Sequence, residues 1–238
     1  MKRFIVILIA FTFMFNACDE IFSSVRGEGP VISETRSVKD FKGIELGASG
    51  DVYFKQAPEF KVVVETQKNI AEILETVVEG GVLKINFKHN LGNVHTDKLI
   101  IRVEAPSFDK IELSGSGNMT AENALTGNGL DIRLGGSGNI SIKEATFSKI
   151  EADVSGSGNI EIGGTTEASD VGVTGSGNIS ADKLKAKTVK ANVTGSGGID
   201  CYAETDLDVS ITGSGDVHYS GTPSVKMHVT GSGNVEKK

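Results

Sequence analysis

Two carboxylates and one imidazole, Glu161, Asp200 and His218, are the residues of this chain best placed for acid–base chemistry. Each stands two residues beyond the last position of a recurring Gly-Ser-Gly-Asn-type tetrapeptide, in a set completed by Thr120, Ser141, Ser180 and Glu236. If successive tetrapeptides stack as neighbouring strands, Glu161 and Asp200 lie two rungs apart, about 9–10 Å, and His218 one rung beyond Asp200. That separation is at the upper edge of what inverting glycosidases use, and polysaccharide-cleaving β-helices carry sites on such faces. Against catalysis, carboxylates are common on any acidic surface, and neither an aromatic platform nor an arginine cluster accompanies these three. The structural explanation is the stronger, and no catalytic residue is assigned.

Other chemistry fares no better. Glycine-rich β-rolls hold calcium through the aspartates of a nine-residue repeat. Here the period is about twice as long, and the last corner residue is mostly neutral Asn, with Asp only at Asp51 and Asp216. Stacked Asn amides bonded to one another account for it better. His89, His95, His218 and His228 have no ligand spacing, so neither a metal nor a cofactor is expected. The Gly-Ser-Gly strings are not phosphate loops, because no helix follows to present its N-terminus. Cys201 falls in an inward column beside Ala181 and Tyr219 and reads as a small core residue.

The elements that position these residues come from the repeat. Its second glycine and last residue recur as Gly117-Asn118, Gly138-Asn139, Gly158-Asn159, Gly177-Asn178, Gly197-Gly198, Gly215-Asp216 and Gly233-Asn234. The second glycines are 18–21 residues apart, and Ala48-Ser49-Gly50-Asp51 is a looser eighth copy. Glycine supplies the positive φ of a tight reversal, and Asn or Asp tolerates it best among the rest. Apolar residues alternate on both sides: Ile111 and Leu113 before the first corner, Met119 and Ala121 after it, and equivalents down to Met227, Val229 and Val235. A period of two buries one face of each strand. Two facing strands per coil predict an all-β, two-sheeted solenoid with about 18–21 residues per coil and an interior of Val, Ile, Leu and Ala. No single coil stands alone; stacking supplies its ladder bonds and covers its edges.

Outward positions form columns too. Ser114, Ser155, Thr174, Thr194, Thr212 and Thr230 read as a hydroxyl ladder, and Lys110, Asp131, Glu151, Asp170, Lys190, Asp208 and Lys226 as solvated cross-strand pairing.

Four segments are expected. Lys2 and Arg3 precede the apolar run Phe4–Phe15 and Asn16-Ala17-Cys18, which makes residues 1–17 a signal peptide too short to span a bilayer. Ala17-Cys18 after the apolar run resembles a bacterial lipoprotein signal, which implies Cys18 as the lipidated first residue and residues 18–36 as the lipidated N-terminus and tether; ordinary secretory cleavage near Ala17 is the alternative. Residues 37–110 form an irregular β half, with strands over Phe41–Leu46, Asp51–Gln56, Phe60–Thr66, Val82–Lys88 and Lys98–Glu104. Asn69–Val78 is left open between helix and strand. Residues 111–238 are the repeat solenoid. Loss of Lys2 and Arg3, with no acid removed, takes the net charge from −7 to −9, and an acidic chain without a basic patch is not expected to bind nucleic acid. With Cys18 lipidated, no intrachain disulfide is expected.

The Gly-Ser-Gly-Asn-Ile corners behind this leader, with the lead-in Phe41-Lys42-Gly43-Ile44-Glu45-Leu46, resemble the putative auto-transporter adhesin, head GIN domain family over residues 38–238. The resemblance implies a right-handed β-helix similar in shape to pectin lyases but lacking their catalytic residues, with a role in adhesion. Asp19-Glu20 resembles the surface-export signal of Bacteroidota lipoproteins. The expectation is a lipid-anchored envelope binding module in the outer membrane, facing the surface or the periplasm. Its partners would be the membrane through the lipid, a glycan or protein ligand, and, as an open alternative, further copies of itself. The competing functions are a polysaccharide-acting enzyme and a structural envelope protein.

Overall fold

The computed structural model describes residues 24–88, 91 and 93–238. Cys18 and His89 therefore lie outside the described residues. The first part comprises β1 (Val25–Arg26), β2 (Val31–Arg36), β3 (Gly43–Leu46), β4 (Asp51–Gln56), β5 (Lys61–Gln67), α1 (Lys68–Ile73), β6 (Leu74–Glu79), β7 (Val82–Phe87), β8 (Val94–His95) and β9 (Ile100–Ala105). The coils follow as β10 (Lys110–Leu113), β11 (Asn118–Ala121), β12 (Leu125–Leu134), β13 (Asn139–Gly156), β14 (Asn159–Gly175), β15 (Asn178–Gly195) and β16 (Gly198–Gly213). The last coil is β17 (Asp216–Gly221), β18 (Ser224–Gly231) and β19 (Asn234–Lys237).

The expected all-β solenoid is what the structure shows, and the strands flanking its corners stack in parallel register, with register shifts where each coil bends away from the corner. Ile140, Ile160, Ile179, Ile199 and Val217 form one unbroken inward column, and Ala152, Val171, Ala191 and Val209 another. Each complete coil has a third flank besides those before and after the corner. In β13, Ile140 and Ile142 are buried, then Ala145 and Phe147, then Ile150, Ala152 and Val154. Between these sets Lys143-Glu144 and Ser148-Lys149 point outward in pairs. Two successive outward residues break the period of two and turn the chain, so the interior is enclosed on three sides. The middle flank buries one or two residues per coil, too few to register as a strand by alternation alone.

The N-terminal half is the first turn of the same ladder. Ile44 pairs with Ile111, Leu46 with Leu113 and Val52 with Met119, so the division at residue 110 crosses one continuous core running from Phe41 to Val217. This end is wider, and its core includes Phe41, Phe54 and Phe108, with Phe54 set edge-on to Phe108 at 5.4 Å. The aliphatic-only interior predicted above therefore holds for the later coils except at Phe147, Thr166, Ser169 and Cys201. The open segment 69–78 contains both alternatives: α1 closes the solenoid's end with Ile70 and Ala71 buried, and β6 follows it.

The segment expected as a tether, residues 18–36, contains a strand. Val31–Arg36 forms β2, antiparallel to β5 from Val31↔Gln67 to Arg36↔Val62. Its mixed polar sequence hid it, because as an edge strand it contributes little to the core. Among the described residues no helix is long and apolar enough to cross a membrane.

The corners correct one physical expectation. Positive φ belongs to the first glycine of the later corners, 122° at Gly175, and not to the second glycine or to the Asn. The second glycine is required by stacking: a Cβ on Gly177 would lie 2.3 Å from the Gly158 carbonyl oxygen and 2.6 Å from Val154 Cγ1. Coils settle this close because Ser176 and Gly177 N–H both donate to the Gly156 carbonyl at 3.0 Å.

Candidate functional site

The Asn side chain of each of the first four corners is an element of a hydrogen-bonded ladder. Asn118 Nδ2 donates to Asp51 Oδ1 at 2.8 Å, Asn139 to Asn118 at 2.9 Å, Asn159 to Asn139 at 3.0 Å and Asn178 to Asn159 at 3.1 Å. The ladder ends where the Gly198 N–H donates to Asn178 Oδ1 at 3.0 Å. A carboxylate only accepts and a backbone N–H only donates, so both ends impose the same polarity on every amide between them. Asp216 repeats the arrangement one coil later, accepting from the Asn234 N–H at 2.9 Å. Asn118, Asn139, Asn159 and Asn178 are thus rungs of the fold, Asp51 and Asp216 are acceptors within it, and Asn234 joins through its backbone N–H alone. Among the described residues no three His, Cys, Asp or Glu side chains converge as metal ligands.

The acid–base candidates do share one column. Glu161, Ser180, Asp200, His218 and Glu236 are register partners on successive coils, on the flank that follows the corner. Their charges are engaged. Lys183 Nζ meets Glu161 at 3.1 Å, while Asp200 Oδ1 receives Lys238 Nζ at 2.7 Å and lies 3.3 Å from His218 Nδ1. The Asp200 hydrogen bond raises the Lys238 pKa, which keeps the lysine charged. A general acid must hold a proton near neutrality inside a site that orients substrate. Here the carboxylates are half-exposed on an outward flank, and Glu161 and Asp200 are two coils apart.

The concavities lie elsewhere. A groove of about 930 Å³ runs beside β6 and β7, lined by Glu75, Val77, Glu79, Lys84 and Phe87 among others. A second, of about 700 Å³, crosses the coils on the middle flank past Thr146, Thr165, Lys185 and Lys187. None of Glu161, Asp200 and His218 lines either one. Cys201 is buried, and burial, followed by the nearby Asp200 charge, pushes its thiol up to about 12. It is a core side chain and not a nucleophile.

The hydroxyl and charged columns are also structural. Ser155, Thr174, Thr194, Thr212 and Thr230 stand in register. In the charged column, Lys226 reaches Asp208 at 3.6 Å. Exposed pairs of this kind stabilise little individually. Sequence reasoning missed the part played by Asp51, although its place at the last position of the looser corner was the available signal.

Solved structures with this architecture include proteins from Bacteroides and Parabacteroides species. A putative adhesin from Bacteroides fragilis superposes with a TM-score of 0.86 at 27% identity, covering 90% of this chain and 100% of its own. A putative lipid binding protein from Parabacteroides distasonis gives 0.79 at 26%, covering 91% and 100%. A putative adhesin from the same species gives 0.71 at 26%, covering 91% and 100%. No curated protein matches the sequence. The family model described as putative auto-transporter adhesin, head GIN domain, matches residues 40–223, across the Asn ladder and its stacked corners, and the chain belongs to that family.

Proposed function

We propose that the protein is a non-catalytic adhesive module of the bacterial cell envelope, held to the outer membrane by a lipid on Cys18 and presenting the solenoid flanks to a glycan or protein ligand. The observation that carries this reading is the fate of the acid–base candidates. They stand on an open flank, tied to Lys183 and Lys238, so the rigid surface itself is what the molecule offers. Membership of the adhesin family and the likeness to the Bacteroides fragilis protein support the same conclusion. The sequence of residues 1–18 supports the anchor.

Two measurements test it. A binding screen against mucins, matrix proteins and glycan arrays should return a saturable ligand, with no depolymerisation of any polysaccharide bound. Protease shaving of intact cells should remove the domain. A blank screen, or a domain protected until the cells are lysed, would sink the adhesive reading. Labelling with a fatty acid that persists in wild type and is lost in Cys18→Ser tests the anchor separately.

A further inference from the structure

On the middle flank one outward column keeps its register through the coils: Thr126, Thr146, Thr165, Lys185, Tyr202 and Ser220. Thr146, Thr165 and Lys185 line the groove of about 700 Å³ there. Lys183, Lys185 and Lys187 alternate with the buried Leu184 and Ala186, so their side chains leave β15 on the same side. The neighbouring strand β14 supplies an acid to the outer pair: Glu161 lies 3.1 Å from Lys183 and Glu167 lies 3.7 Å from Lys187. To Lys185 it presents Thr165 instead, and on the other side β16 presents Tyr202. Among the described residues Lys185 has no ion-pair partner. Lys190 differs: it lines another groove, but it stands in register between Asp170 and Asp208.

The neighbours of Lys185 in the column are groups that sugars bind. Thr146 and Thr165 are exposed, and their hydroxyls share one long bond of 3.5 Å, which leaves donors and acceptors for a ligand. Tyr202 is half-buried, with Cε2 3.6 Å from the Cβ position that Gly221 lacks, so no side chain at Gly221 covers the ring. Such a ring joins an apolar face to a polar tip. The other tyrosines are occupied: Arg102 stacks over Tyr53 at 5.2 Å, and Tyr219 packs against the core. Thr146 to Tyr202 is three rungs, about 14 Å, room for a short oligosaccharide laid along the axis.

We infer that this column is a glycan-binding subsite whose ligand carries a lone carboxylate among neutral sugars. The carboxylate meets Lys185, a neighbouring sugar face lies on Tyr202, and sugar hydroxyls bond to Thr165 and Thr146. The inference rests on the adhesive reading and narrows it to one flank and one ligand class. An ammonium gives a carboxylate a charge-assisted hydrogen bond, which a neutral hydroxyl cannot match. Glu204 also lines the groove, without an ion-pair partner among the described residues. A chain with an acid on every sugar would therefore meet a like charge beside the cation, and the groove favours an isolated carboxylate over a polyanion.

The test is calorimetric titration of the purified full-length protein, in a detergent that keeps any lipid dispersed. The probes are sialyllactose and a hyaluronan oligosaccharide, which separate sialic from uronic acid, the carboxyl-reduced form of each, and polygalacturonate. At least one of the first two should bind saturably, its reduced form about tenfold or more weaker, and polygalacturonate should bind less tightly than it. Lys185→Gln should lose the same factor, and Lys185→Arg should retain most of the affinity. Lys190→Gln, an equal change of charge, should have no effect. Tyr202→Ala should weaken the acidic ligand and its reduced form alike, whereas Lys185→Gln should weaken only the acidic one. Circular dichroism checks each variant, and the exposed Lys185 variants decide the matter even where Tyr202→Ala does not fold. Affinity that survives Lys185→Gln, equal affinity for the reduced ligand, or tighter binding of polygalacturonate would each overturn the inference. A protein that binds a mucin or matrix protein but neither acidic oligosaccharide would overturn it and leave the adhesive reading standing, while a blank throughout would remove both.

Discussion

The Asn118 side-chain amide donates to the Asp51 carboxylate, Nδ2 to Oδ1 at 2.8 Å, and this single bond fixes the direction of the amide ladder above it. Asp51 can only accept, so Asn118 must turn its Oδ1 toward Asn139, and the same constraint passes to Asn159 and Asn178.

It follows that exchanging the two side-chain types has opposite consequences at the two places. Asp51→Asn keeps an acceptor and should change stability by less than about 0.5 kcal/mol. Asn159→Asp sets a second acceptor against Asn139 Oδ1 and removes a donor, and should cost about 1–2 kcal/mol. Urea denaturation of the two variants measures this, and equal effects would show that the ladder has no polarity.

Stacking distance is the second lever. Gly177 lies outside the positive-φ region, yet its missing Cβ would fall 2.3 Å from the Gly158 carbonyl oxygen. Because the obstacle is backbone, Gly177→Ala should cost about 3 kcal/mol or more, at the upper end of overpacking effects. Gly129 has nothing within 4 Å of its Cβ position, and Gly129→Ala should be neutral or stabilise by a few tenths of a kcal/mol. Thermal melts of the pair decide whether close approach or glycine content limits the corners.

Asp153 gives the fold a pH signature. The residue is exposed as a whole, but its carboxylate is drawn over Gly172, with Oδ1 2.3 Å from where a Cβ would be. Partial burial there, then repulsion from Asp170 and Asp131, raises its pKa. The native state therefore holds that proton more tightly than the unfolded chain does. Its contribution improves as pH falls through the folded pKa toward the ordinary carboxylate value, and at neutral pH the ionised group is a liability. Glu65 and Glu151 act the other way. Hydrogen bonds from Lys98 and Lys149 lower their pKa values, so their stabilisation is present above the ordinary carboxylate range and lost as pH falls through the folded pKa. Asp153→Asn should thus be more stable than wild type at neutral pH, and the gap should close on acidification. A gap that stays constant from neutral to acid pH would count against the assignment.

Cys201 should be silent. Buried, with its thiol pushed up to about 12, it offers almost no thiolate at pH 8. In a Cys18→Ser chain, thiol reagents should label it only after denaturation. Labelling of the native protein within minutes would mean that the coil opens around it.

The sequence by itself determined what repeats. The tetrapeptide corners, the inward columns from Ile111 and Leu113 onward, and the outward Ser/Thr and charged columns were all legible, because local alternation and fixed spacing specify which side chain faces the core. The antiparallel N-terminal pairings were not legible. β2 beside β5 and β5 beside β9 join segments of unlike sequence in antiparallel order, and no period announces them, whereas the shared Ile-Glu-Leu at 44–46 and 111–113 does announce the pairing of Ile44 with Ile111. The requirement for the second glycine was visible, but its reason was not: whether a glycine serves a positive φ or a close approach depends on the carbonyl of the neighbouring coil. The fate of Glu161, Asp200 and His218 was decided by tertiary structure alone. Their common column was predictable, but the lysines engaging it were not. Lys238 reaches Asp200 across 38 residues of chain. The exposure of Met227 has the same origin: it is the register partner of the buried Val209, yet among the described residues no coil is stacked over it.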